Sequence, residues 1–270
     1  MEKQTAKLPK GVLHAMIGQK KFSLARYEPS AEISYFVQHY WVVRWDLRTE
    51  PPYLQTVLAH PNVNLVFEKG ASGIFGVART TSSHLLKGQG QVFGVKFRPG
   101  GFYPFLNAPI SKLSGTSTSL EAVFGVATDQ LEKEVLSLPN DEQMMKRVEA
   151  FLFEHLPKPD PNVARISEIV RMIQADRSVL KVEDAVQLTG MNMRTMQRLF
   201  DRYVGVSPKS VIQRYRLHEA AEQIDQGTVR DWLDLSTSLG YYDHSHFIRD
   251  FRAIVGVAPN EYRQAQIYSQ

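Results

Sequence analysis

Three side chains in the carboxy-terminal half have the type and spacing of a base-reading patch: Arg194, Gln197 and Arg198. On a helix they stand at i, i+3 and i+4 and share one face. Arginine can pair with the guanine edge and glutamine with the adenine edge in the major groove. Thr195 and Arg202 extend that face. A second set, His244, Ser245, His246 and Arg249, follows further along, with Arg252 and Arg263 suited to phosphates. His244 and His246 are two apart, so on a helix they point away from each other and make a poor chelate. No metal is expected there.

Two similar units must position these patches. Gly205-Val206-Ser207-Pro208 returns 51 residues later as Gly256-Val257-Ala258-Pro259. At the same offset Met196 matches Phe247, Arg198 matches Arg249 and Phe200 matches Phe251. Asn192 matches Asp243, and both are good N-cap residues. Gly190 and Gly240 mark the turn before each cap. Each unit therefore reads as a short helix, a turn and a second helix, which is a helix-turn-helix. Met196, Leu199, Phe200 and Tyr203 should face the core of the first unit, and Phe247 and Phe251 that of the second. Ser207 as cap and Pro208 at the first position should start a long connecting helix running to about Gln226. Its apolar stripe is Val211, Ile212, Tyr215, Leu217, Ala220, Ala221 and Ile224.

Charge placement favours a nucleic-acid face over a purely structural repeat. Arg194 to Arg216 contains Arg194, Arg198, Arg202, Lys209, Arg214 and Arg216 against Asp201 alone. From Val163 onward, 12 of the 14 basic residues are arginine, the side chain suited to bidentate contacts.

Leu156-Pro157-Lys158-Pro159-Asp160-Pro161 separates this half from a different one. Alternate prolines favour an extended connection. Before it, 36–45, 62–67 and 91–97 are rich in aromatic and β-branched residues, and glycines punctuate the region as turns. Two helical patterns, 120–138 and 141–155, close that half. The expected fold is α+β with two domains. An amino-terminal β-barrel of cupin-like form with flanking helices spans 1–156, a linker 157–162, and an all-α domain with two helix-turn-helix units 163–270. Aromatic and cationic residues of the barrel, Tyr40, Trp41, Trp45, Phe67, Arg79, Lys96, Arg98 and Phe102, could line a small-molecule site. His39, His60 and His84 form no close pair, so a metal site is not expected.

Residues 163–263 resemble the DNA-binding domain of the AraC/XylS family of bacterial transcription regulators. The carriers are Arg198-Leu199-Phe200, Gly205–Pro208, Arg216-Leu217, Ala220-Ala221, Leu239-Gly240-Tyr241, Ser245-His246-Phe247, Arg249-Asp250-Phe251 and Gly256–Arg263. Val186 and Ser236 stand where the family usually has alanine. The first half looks like the amino-terminal domain of some AraC-like proteins, through 36–45, His60-Pro61-Asn62, Gly94–Gly100 and Leu113–Thr118. The resemblance implies double-stranded DNA as partner, with two units entering successive major grooves. It also implies a small-molecule effector or a homodimer contact in the first domain, and RNA polymerase as partner if the protein is an activator.

The chain has 270 residues, net charge +4 and no cysteine. Disulfides, zinc fingers, iron–sulfur clusters and thiol nucleophiles are thereby excluded. No nucleophile elbow, zincin motif or phosphate loop occurs, so an enzyme is not expected and no cofactor is implied. Met1-Glu2-Lys3-Gln4 leads into no apolar run and no membrane-length stretch follows, which suggests a cytoplasmic protein. Two alternatives stay open for the first half: a pure protein-interaction module, or a small-molecule enzyme fused to the DNA-binding part.

Overall fold

The computed structural model describes Gly18 and Lys20 to Ile267, with side chains described to Gln264; the opening residues read for a secretory signal lie outside this range. Six antiparallel strands form the main sheet, in the order β1 (Ser23–Tyr27), β2 (Val37–Leu47), β7 (Gly88–Phe97), β4 (Asn64–Glu68), β5 (Gly73–Phe75) and β8 (Ser117–Thr118). A separate ribbon pairs β3 (Tyr53–Val57) with β6 (Ser82–Leu86). Alternation makes β4 one-sided: Leu65 and Phe67 are buried, their neighbours half-exposed. Gly90 and Gly94 on β7 let the indoles of Trp45 and Trp41 lie flat across the strand. A Cβ at either would sit 2.2 or 2.0 Å from the ring.

Among the described residues the strands of the expected cupin-like domain do not close into a barrel. In the pairing, β1 and β8 remain edges, and the β3–β6 ribbon stands apart. The first half is a β-rich layer covered by helices. These are α1 (Tyr103–Leu106), α2 (Leu120–Phe124), α3 (Thr128–Leu136) and α4 (Asp141–Glu154), with a 3-10 turn at Ile110–Leu113. The single helix expected over 120–138 is broken by Gly125, whose φ of +70° ends α2. Val135, Met144, Val148, Phe151 and Leu152 bury the inner faces of α3 and α4.

The proline-rich segment has no regular structure until Pro161, where α5 (Pro161–Ala175) begins inside it. Asp160 is its cap and accepts from the Asn162 backbone N–H at 2.9 Å. There follow α6 (Val182–Thr189), α7 (Met193–Leu199), a π-helical turn (Phe200–Val204), α8 (Pro208–Asp225), α9 (Trp232–Ser238), α10 (His244–Val255) and α11 (Pro259–Ile267). The long helix expected from Pro208 is α8, capped by Ser207, and all seven residues of its apolar stripe are buried.

Apolar packing runs straight across the proline-rich segment. One cluster extends from Ile33 on the sheet side through Val163, Ile166, Ile169, Val170 and Ile173 of α5 to Tyr215 of α8. Each such aliphatic side chain contributes about 1.5–3 kcal/mol on burial, an upper estimate because unfolded chains are partly compact. A second cluster begins at Leu217 and holds α9 to α11 together, with Leu58 of the first half inserted. Among the described residues, no helix is long and apolar enough to cross a membrane.

Candidate nucleic-acid interface

The two units place their second helices as the caps dictate. Asn192 Oδ1 accepts from the backbone N–H groups of Arg194 and Thr195 at 2.9 and 3.4 Å, which satisfies donors that the first turn of α7 leaves unpaired. Asp243 Oδ1 does the same for Ser245 at 2.9 Å and starts α10. Gly190 and Gly240 precede these caps in left-handed conformation, at φ +62° and +81°.

Packing then sorts the faces. Met196, Leu199, Phe200 and Tyr203 are buried, as are Phe247 and Phe251. Arg194, Gln197 and Arg198 are exposed together, with Thr195 half-buried beside them. On α10, Ser245, His246, Arg249 and Arg252 are exposed and His244 is half-buried. The His244 ring packs near Phe247, at 6.1 Å between centroids, and its buried Nδ1 has no hydrogen-bond partner among the described residues. His246 lies 3.3 Å from Asp250, one turn along.

The exposed cations of these faces differ from others on the surface. Arg48, Arg147 and Arg171 each hold a carboxylate within 2.6 Å. Among the described residues, Arg194, Arg198, Arg249 and Arg252 form no ion pair. Free guanidinium groups on helix faces are what phosphate and base contacts require. Arg263 is engaged differently, with its guanidinium 4.9 Å above the Trp232 ring.

Arg202 departs from the expected face. Its Nε donates to Tyr103 Oη at 2.5 Å and its guanidinium lies 4.8 Å from that ring. It therefore joins the helical half to the β-rich half. Tyr203 beside it donates to Asp160 at 2.5 Å, and burial with that bond pushes its phenol up to about 12. Nothing in the sequence around Tyr103 signals this contact. Two further members of the basic run are internal. Arg214 is 2% exposed, with burial bringing it down to about 10, and Arg216 donates to the Ile173 carbonyl at 2.8 Å and faces Glu219.

The aromatic set expected to line an effector site does not assemble. Tyr40, Phe67 and Phe102 belong to the main apolar core, where Phe102 stacks on Phe105 and Tyr40 donates to Glu149. Trp41 and Trp45 cover the glycines of β7, and Trp45 Nε1 donates to the Lys87 carbonyl at 3.1 Å. The Arg79 side chain is exposed beside Gly115. Of the expected set, Lys96 and Arg98 line a cavity between the sheet and α5. Among the described residues, no group of three or more His, Asp or Glu could hold a metal.

Residues 185–265 match the family described as a helix-turn-helix domain, and residues 25–119 match a domain of unknown function, DUF6597. The HTH-type transcriptional activator AarP of Providencia stuartii is 30% identical over 99 residues, which are 36% of this chain and 73% of AarP. A putative HTH-type transcriptional regulator of Escherichia coli strain K12, YkgA, is 32% identical over 84 residues, 31% of this chain and 35% of YkgA. The chain thus spans about a third of the length of the first such relatives. An AraC-type regulator structure from Chromobacterium violaceum is similar at 25% identity and a TM-score of 0.34, over 37% of this chain and 89% of that one. With two capped helix-turn-helix units and a relative matched over nearly three quarters of its length, the chain belongs to the AraC/XylS family of helix-turn-helix transcriptional regulators.

Proposed function

We propose that the protein is a sequence-specific DNA-binding transcription regulator whose two units read adjacent major grooves. The observation that carries this reading is the exposed set Arg194, Gln197, Arg198, Arg249 and Arg252 on two equivalently capped helices, its arginines free of ion pairs among the described residues. Thr195, His244, Ser245 and His246 complete the base-facing surfaces, and Arg202 becomes available to DNA only if it leaves Tyr103. The relatives support a regulator rather than an enzyme, and AarP supports activation, with RNA polymerase as the contact of an activator. The division of labour follows the proline-rich segment: 1–156, cupin-like in its half-open sheet, sense a small molecule and form a homodimer; 157–162 connect; 163–270 bind DNA. Such a protein works in the cytoplasm.

Duplexes selected from a random pool, then measured by fluorescence anisotropy, test the reading. Arg198→Ala should lose about 1–3 kcal/mol of discrimination at one base position. A pool that yields no preferred sequence, or a variant that discriminates as well as the parent, refutes it.

A further inference from the structure

The cavity between the sheet edge and α5 has a volume of about 950 Å³. One wall comes from β1, the start of β2, the His60 loop and the end of β7; the other from α5 and Tyr215 of α8. Its charge is lopsided. Arg26, Lys96 and Arg98 line the sheet wall, and none of them has a carboxylate partner among the described residues. Two acids line it: Glu168, held by Arg171 at 2.6 and 2.8 Å, and Glu28, which is exposed. Arg98 donates from Nε to the Ser34 carbonyl at 2.6 Å, and the Lys96 ammonium has no ion-pair partner among the described residues.

Two histidines add to the same wall. Burial above all, and then the neighbouring charges of Lys96 and Arg26, hold the His39 imidazole down at about 3. His60 sits edge-on to His218 of α8, with ring centroids 4.8 Å apart, and the buried Nε2 of His218 has no hydrogen-bond partner among the described residues. Burial, with Arg26 nearby, brings the Lys96 ammonium down to about 7. Lys96 and Arg98 are half-buried and Arg26 is exposed at the rim; gathering such cations without a counter-charge is costly, and an entering anion lowers that cost. The far wall supplies an apolar and amide surface through Val170, Tyr215 and Gln174. The space exceeds that of an inorganic ion and lies in the range of small-molecule sites.

We infer that this cavity binds a small organic anion, a carboxylate or phosphate monoester with a flat body, its charge between Lys96 and Arg26 and its body against α5 and Tyr215. This rests on the effector reading above and moves that site from the sheet interior to the junction of the two halves. An occupant touches both walls, so binding stabilises the seating of α5, and through it the first helix-turn-helix unit, on the sheet.

Titration calorimetry of the full chain with benzoate and with phenyl phosphate tests the inference, with chloride at equal ionic strength as the blank. The expected result is saturable binding of at least one probe, weakened tenfold or more in Lys96→Met. Binding near pH 7.5 should also take up as much as roughly three quarters of a proton, because the anion re-protonates a lysine poised at about 7, and Lys96→Met should abolish that uptake. Arg26→Gln, on the edge strand, serves if Lys96→Met fails to fold and should weaken binding as well. Absence of saturable binding by both probes, or a Lys96→Met variant that binds like the parent, overturns the proposal. Anisotropy on the same preparations separates the two readings. DNA binding without anion binding removes this inference alone; anion binding without DNA binding removes the regulator reading and leaves the site.

Discussion

Gly205 and Gly256 close the recognition helices of the two units and offer an internally controlled perturbation. Both have left-handed backbone, at φ +91° and +96°. An alanine in that region costs about 1–2 kcal/mol, and this cost is common to both sites. Their surroundings differ. A Cβ on Gly205 would stand 2.7 Å from Ser114 Oγ, 2.8 Å from Ile110 Cγ2 and 2.9 Å from the Ile110 carbonyl oxygen. The last is backbone and cannot swing aside. A Cβ on Gly256 would meet only Thr81 Oγ1, at an ordinary 3.5 Å. Overpacking adds about 1–3 kcal/mol at Gly205 alone. The hydrogen bond from Ser114 Oγ to the Gly205 carbonyl, at 2.5 Å, is also put at risk. Gly205→Ala should therefore lose about 2–5 kcal/mol and Gly256→Ala about 1–2 kcal/mol. Urea unfolding followed by tryptophan fluorescence and circular dichroism measures both. Equal losses, or a larger loss at Gly256, would show that the 3-10 turn at Ile110–Leu113 does not press on the first unit in solution.

Three further outcomes follow from the geometry. Asn192→Ala removes the acceptor for two amide groups of α7 and should cost about 0.5–2 kcal/mol by the same unfolding assay, with Asn192→Asp close to the parent. Arg252→Ala should weaken binding to all duplexes alike and reduce the slope of log K against log salt by about 1, read from anisotropy at several salt concentrations. Acid should loosen the fold through His218, whose imidazole is held down to about 3 by burial first and by Lys96 next. Between that value and its ordinary 6.5 the unfolded chain binds the extra proton. Stability therefore rises with pH across this window and falls as pH drops through it. His218→Gln should flatten the dependence of Tm on pH there, and an unchanged profile would exclude this residue.

The helical half was largely legible in the residues because its signals are local. A cap such as Asn192 or Asp243 acts on amides two residues away, and the stripe along α8 needs only the helical period. The β-rich half was less so, since strand pairing joins residues far apart in the chain. Nothing local says that β7 lies between β2 and β4, or that Trp41 and Trp45 spread over glycines of a neighbour. Aromatic content suggested a lined pocket, but Tyr40, Phe67 and Phe102 are equally good core, and packing took them there. Charge counting misled in one respect. Arg214 and Arg216 belong by sequence to a basic run, yet α8 is buried on nearly all sides and carries both guanidinium groups inward. Arg202 likewise reads as an exposed cation until Tyr103 is brought to it by the fold.

The apolar continuity from the sheet through α5 into α8 bears on how such regulators can be recombined. A chimera splicing this helical half onto the sensory portion of a distant relative at the proline-rich segment would strip cover from Val163, Ile166, Ile169 and Val170, and leave Leu58 without its socket. Portability of the reading head would then require rebuilding the docking surface around Tyr103 and around Gly100, which lies against Ile166 and Tyr203, not merely choosing a tolerant splice point. Functional transplants between members of this group should succeed in proportion to how well those few buried positions match.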